Sequence, residues 1–298
     1  MGLFNELIEI GQLGISKRPH ICFLVVFPCN FQSPDQGPVR FANIDMEIHD
    51  LAFIRENFSS AVMLDALKKD PELKFSSFSY VVIEQMAGDE HEAIEMANDK
   101  VELFRSLLNF YKSYGRKVPS SGQSEHLSSI PPPKYAFVFN KDKEYLEMSG
   151  ILEEYNYTIE RFDDSEREQV DILVHSINKI KDFDLKVVVL RAMLKHNDAL
   201  DESDPKMAYE RYWHVLETLS LADGNEDSEE TCRRISSMFE DRSDCPASQL
   251  CRKMESKAVR PVDVDKMKSL SQETIMFMLN NAGVIGGRRG LESFYRAH

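Results

Sequence analysis

Phe78-Ser-Tyr-Val-Val-Ile-Glu-Gln-Met-Ala-Gly-Asp89 carries the chain from a strand into a helix. Tyr80, Val81, Val82 and Ile83 at its centre are aromatic or β-branched, the residue types that suit a pleated, half-buried surface. Gly88 breaks this run, and Asp89 offers a side-chain oxygen to cap a helix. Ala93, Ala97, Val101, Phe104, Leu108 and Tyr111 then recur three or four residues apart. That spacing predicts one apolar stripe along a helix that ends by Gly115. A strand that feeds directly into an amphipathic helix makes the first half mixed α/β.

Upstream, His20 to Phe27 reads as a strand, Pro28 to Pro38 as a turn-rich loop, and Val39 to His49 as one further strand. Leu51 to Lys69 reads as a helix. Downstream, residues 116–134 are polar and end in three prolines, which a helix does not tolerate. Tyr135 to Phe139 reads as the last strand. From about Ser165 only helical periodicity remains. Val170, Leu173, Ile177 and Ile180 form one stripe, and Val187, Leu190 and Leu194 continue it. Asp204-Pro205 starts a helix with core positions Tyr209, Tyr212, Leu216 and Leu219. Short helices are expected at 229–240 and 247–258, a longer one over Asp263 to Asn281, and a last one at 291–298. The expected fold class is α+β: a mixed α/β domain with a small sheet over 1–150, then an all-α bundle over 151–298.

The chain has 298 residues, 42% hydrophobic and 29% charged, with a formal net charge of −14. This is globular composition, and no apolar run approaches the ~20 residues that span a bilayer. The acid excess argues against a protein coated in nucleic acid or docked on anionic lipid. Only residues 252–298 are net basic, so only they offer phosphates a positive surface. Cys22, Cys29, Cys232, Cys245 and Cys251 show no zinc-type spacing, and reduced thiols in a cytoplasmic protein are expected. The N-terminus lacks a secretory pattern, and Glu6 stands where a myristoylation signal has Ser or Thr.

Several groups of residues could carry chemistry. Asp45, Glu47 and His49 alternate along a strand, which puts three potential ligands on one face. Alternation alone makes that face the solvent side of an amphipathic strand. Gly283, Gly286, Gly287 and Gly290 surround Arg288 and Arg289. A phosphate cradle should follow a strand, whereas here a helix precedes, so a helix-to-helix connection is expected, with the paired arginines as phosphate contacts. His175, His196 and His214 fall in helices, where packing or solvent exposure is expected. His214 and Glu217 are three apart and share a helix face, with Glu210 one turn earlier, and a surface pair is expected.

The stretch Ala208-Tyr-Glu-Arg-Tyr-Trp-His-Val-Leu-Glu-Thr-Leu219 resembles the first conserved helix of HEPN domains, notably the ApeA-like group. Phe294-Tyr-Arg-Ala-His298 falls about where such domains place an arginine followed by a histidine. Residues 78–115 are loosely similar to the N-terminal region of such proteins. The resemblance implies a HEPN-like bundle, a homodimer, and metal-independent cleavage of RNA, in anti-phage defence among many relatives, with no cofactor. Arg296 would stabilise charge on the phosphorane-like transition state and His298 would move protons, with Arg288 and Arg289 on RNA phosphates. Membrane and DNA partners are not expected. Arg296 and His298 are only two apart, however, which on a helix separates them by roughly 200°. Two expectations follow. Either the chain is truncated before its catalytic histidine, or it is a degenerate member that binds nucleotides or partner proteins without cleaving.

Overall fold

The computed structural model describes residues 20–29, 31–32, 39–41, 46–59, 61–68, 79–113, 133–150, 160–161, 164–221, 228–239 and 259–297. It is α+β: an N-terminal antiparallel sheet with helices, followed by a helical region. The chain divides into two compact units, Met1–Arg105 with Ile130–Asp171, and Ser106–Ser129 with Ile172–His298.

The first unit is built on six strands. They are β1 (Ile21–Cys29), β3 (Val39–Phe41), β4 (Met46–His49), β5 (Ser79–Ala87), β6 (Tyr135–Asn140) and β7 (Tyr145–Gly150). Their spatial order is β3-β4-β5-β1-β6-β7, and every neighbouring pair is antiparallel. A separate parallel pair joins β2 (Phe31–Gln32) to β8 (Glu160–Arg161). Because side chains alternate between faces, register assigns them. Val26 faces Val82 and Phe137 across the sheet, and these pack with Tyr80 and Phe139 against Ile54, Phe58 and Met63. Those last three come from α1 (Leu51–Asn57), its C-cap Phe58 and α2 (Ala61–Lys68). On the opposite face Val25, Phe27, Val81 and Ile83 are buried, and Gln85 reaches Met96 of α3 (Glu90–Ser113). Helices on both faces explain why β1 and β5 read as continuous apolar runs.

Several expectations need correction. Strand β1 runs on through Pro28 to Cys29. Val39–Phe41 and Met46–His49 are two antiparallel strands rather than one, pairing Phe41 with Met46. The helix expected over 51–69 is two helices. Phe58 adopts an extended backbone, φ −121° and ψ 149°, and turns its ring into the core. Ser59 is held there by the β6–β7 turn, because its N–H and hydroxyl donate to the Lys143 carbonyl and its oxygen accepts from the Tyr145 N–H. Strand β7 was not expected, since Leu146 and Met148 are exposed and its periodicity is weak.

Helix α3 starts as the sequence predicts. Asp89 accepts from the Glu92 N–H at 2.9 Å, and Glu92 accepts from the Gly88 N–H. Its last two turns belong to the second unit. The other helices are α4 (Asp164–Asn178), α5 (Phe183–Leu200), α6 (Pro205–Ser220), α7 (Ser228–Ser237), α8 (Pro261–Ile285) and α9 (Arg288–Ala297). Helix α6 packs on α5, α7 and α8, and α9 on α8. Tyr209, Tyr212, Leu216 and Leu219 are buried as expected. On α5 Leu190 is buried as expected, and the core face is completed by Leu185, Val189, Ala192, Met193 and His196, with Val187 half-buried and Leu194 exposed. The helix expected at 247–258 lies outside the described residues. No helix among the described residues is long and apolar enough to cross a membrane.

Truncating a sheet residue that faces α1 and α2 leaves a cavity. Phe137→Ala should destabilise the fold by about 3–5 kcal/mol in denaturant titration. A change near 1 kcal/mol would contradict this account of the core.

Candidate functional site

The glycine cluster joins two helices. Gly286 ends α8 in the left-handed conformation, φ 72°, and its N–H donates to the Ala282 carbonyl at 3.0 Å. This is the αL cap that glycine favours. Gly287 has φ 137°, and a Cβ there would stand 2.6 Å from the Asp182 carboxyl. A Cβ on Gly290 would overlap the Ile285 carbonyl. These two glycines let α9 close onto the end of α8 and onto Asp182. Asp182 Oδ1 accepts from the Leu185 N–H at 2.8 Å, capping α5, and from the Arg288 N–H at 3.2 Å. A carboxylate therefore already sits against the first residue of α9. The Arg288 guanidinium stands 3.5 Å from Glu292.

Helix α9 is held by Tyr295. Its buried hydroxyl donates to the Leu219 carbonyl at 2.7 Å, and the Arg233 guanidinium donates to its carbonyl at 2.9 Å. Arg234 lies over its ring and donates to the Ser220 carbonyl. Glu230 binds both arginines, and the bonds from Arg233 and Arg234 hold its carboxyl down to about 2. Arg289 and Arg296 are exposed and make no ion pair among the described residues. His298 lies outside the described residues, as do Asp45, Cys245 and Cys251.

His214 and Glu217 are joined as the sequence predicts. His214 Nδ1 lies 2.6 Å from Glu217 Oε2. The other carboxylate oxygen accepts from the Trp213 indole N–H at 2.8 Å. Thr218 donates its hydroxyl proton to the His214 carbonyl at 2.7 Å, and its oxygen accepts from Lys195 Nζ at 2.8 Å. Trp213 is on the same helix, four residues before Glu217, so spacing alone brings its indole to the carboxylate. Lys195 comes from α5, and only tertiary packing brings it in.

The other histidines divide. His175 is exposed on α4. His196 is fully buried in a polar network. Ser271 donates to the Lys268 carbonyl, so its oxygen accepts from His196 Nδ1–H at 2.9 Å. Gln272 then donates to His196 Nε2 at 3.4 Å and to Ser113 at 2.7 Å, while Ser113 donates to the Phe110 carbonyl. Every proton has one place, and the imidazole is neutral. Burial, reinforced by the Lys268 charge, pushes its pKa down to about 3. His49 is buried too, which corrects the solvent-face expectation at that position. It stacks on Phe53 at 3.6 Å and meets Glu47 at 3.1 Å. Burial pushes its pKa down against the pull of Glu47. No cluster of three or more metal-ligating side chains occurs among the described residues. Burial also pushes the Cys29 thiol up to about 12, which makes it inert.

Comparisons with family models, with curated proteins and with solved structures found no match.

Two outcomes are expected. Gly290→Ala should destabilise the second unit by roughly 1–3 kcal/mol, because the carbonyl it meets is backbone. His196 binds a proton more readily unfolded than folded, so stability should fall as pH drops from about 6.5 toward about 3. Stability curves measured across that window should lose up to ~1.4 kcal/mol per pH unit of slope in a His196→Asn variant. An unchanged slope would contradict the buried neutral imidazole.

Proposed function

We propose that this chain is a cytoplasmic HEPN-type protein directed at RNA. By lineage it is a metal-independent endoribonuclease of the kind used in anti-phage defence, with weak or no activity in this chain as it stands. The observation that carries the reading is the alignment of Arg289 and Arg296. They are seven residues apart on α9, so they lie on one face about 10 Å apart along the axis. Both are exposed, without an ion pair among the described residues, and available to an anionic backbone. The residues around Arg296 support little catalysis there. Tyr295 beside it is committed to the Leu219 carbonyl. Pairing through the helical bundle as a homodimer belongs to the same reading.

A second reading is a non-catalytic interaction or nucleotide-binding module that works through partner proteins. The formal net charge of −14 favours it. So does the Asp182 carboxylate held against the start of α9, where the Arg288 N–H would otherwise face a phosphate.

Filter binding of single-stranded RNA across a salt series tests the first reading. Arg289→Ala with Arg296→Ala should weaken binding and reduce the log–log salt slope by about 1.4, two phosphate contacts at ~0.7 each. Binding with no salt dependence, or none at low salt, would sink it and favour the second. Size-exclusion with light scattering checks the dimer.

A further inference from the structure

We infer that the outer edge of β7 is a pairing surface for a second copy of this chain, joined antiparallel about a two-fold axis at Met148. The inference stands apart from the RNA-directed reading and concerns the first unit, not the helical bundle.

The six-stranded sheet has two edge strands, β3 and β7. Strand β3 is three residues long, and a short edge strand is one way that proteins blunt an edge. Strand β7 has six residues, Tyr-Leu-Glu-Met-Ser-Gly, with neither proline nor lysine to blunt it. Its inner side pairs with β6, and among the described residues no strand pairs with its outer side. The one irregularity in the β6 pairing lies beside Leu146, so residues 147–150 keep regular register. The outward N–H and C=O groups of an extended backbone are matched by another strand. Leu146 and Met148, 41% and 40% exposed, give that row an apolar border.

Self-complementarity names the occupant. When two identical strands pair antiparallel about a two-fold axis through a residue, that residue faces its own copy. A centre at Glu147 uses residues 145–149 of each β7, and one at Met148 uses residues 146–150; no other residue-centred pairing overlaps as much. The first sets the Glu147 carboxylate directly against its copy, which is repulsive. The second sets Met148 against Met148, Glu147 against Ser149 and Leu146 against Gly150. Methionines are flexible enough to pack on one another. The Ser149 hydroxyl makes a 3.5 Å contact to the Gly150 carbonyl, at the long limit of a hydrogen bond, and gains a carboxylate as acceptor. A Cβ on Gly150 would meet nothing within 4 Å, so there is room for Leu146 of the second copy. Met148 stands opposite Phe137, on the face that packs against α1 and α2. The axis therefore crosses the sheet, and the two sheets continue as one with these helices on the same side.

The pairing spans about 17 Å of strand. It is at the small end of interface sizes, so a Kd of roughly 10–100 μM is expected. Sedimentation equilibrium of the full chain across about 5–500 μM brackets that value. Wild-type mass should rise towards twofold across the series. Met148→Asp sets two carboxylates against each other on the axis and should raise Kd at least about tenfold. Met148→Lys should do the same. An equimolar mixture of the two variants should recover wild-type association, because residue 148 of one chain then faces the opposite charge in the other. The position is exposed, and circular dichroism checks that each variant keeps its fold. A dimer through the bundle would double the mass of the variants and leave the dependence on residue 148 intact. Wild type that stays monomeric to the top of the series overturns the inference. So does association that Met148→Asp leaves within twofold, which assigns it to another surface, or a mixture that recovers none. None of these outcomes touches the RNA-directed reading, which the salt series decides separately.

Discussion

Burial of one face of α6 governs the helical unit. Tyr209, Tyr212, Trp213, Leu216 and Leu219 leave water together, and α5, α7 and α8 close over the helix. Full burial of side chains this large is worth roughly 1.5–3 kcal/mol each, so the face organises its neighbours. It also creates an obligation, because a buried indole N–H left without an acceptor costs about 1–3 kcal/mol. Glu217 meets that obligation, and its second oxygen then fixes His214. A packing requirement inside the helix thereby sets the orientation of a histidine on its surface.

The same economy of partners shapes the end of α6. Leu221 adopts the left-handed conformation, φ 58°, and the last carbonyls need donors. Tyr295 supplies one to Leu219 and Arg234 one to Ser220. Helix α9 is thus held by hydrogen bonds to a helix end as well as by apolar contact. Residues that a motif search would single out for chemistry, Tyr295 and the arginines of α7, serve here as caps. Arg289 and Arg296 are left outside that arrangement.

In the first unit the constraint is a sheet covered on both faces. Register puts Val26, Val82 and Phe137 toward α1 and α2, and Val25, Val81 and Ile83 on the other side. His49 shows the consequence. Directly opposite Tyr80 in the register, it is drawn into the core and stacked on Phe53, whatever its polarity suggests.

The sequence by itself determined what rests on local physics. Strong periodicity placed β5, α3 and the core face of α6, because 3.6-residue and two-residue repeats are written in the order of side chains. Capping chemistry placed the starts at Asp89 and Asp204, since a short acidic side chain before a helix satisfies its own backbone. The same spacing foresaw the His214–Glu217 pair and the helix-to-helix use of the glycines. Only the tertiary structure decided the break at Phe58, the split of residues 39–49 and the added edge strand β7. The first depends on a partner far along the chain, Lys143 for Ser59, and the other two on strand pairing, β3 with β4 and β7 with β6. It also decided which histidines are buried, that Asp182 fills the turn before α9, and that Lys195 reaches Thr218. Those placements come from contacts between elements, and no local pattern encodes a contact whose two halves are dozens of residues apart.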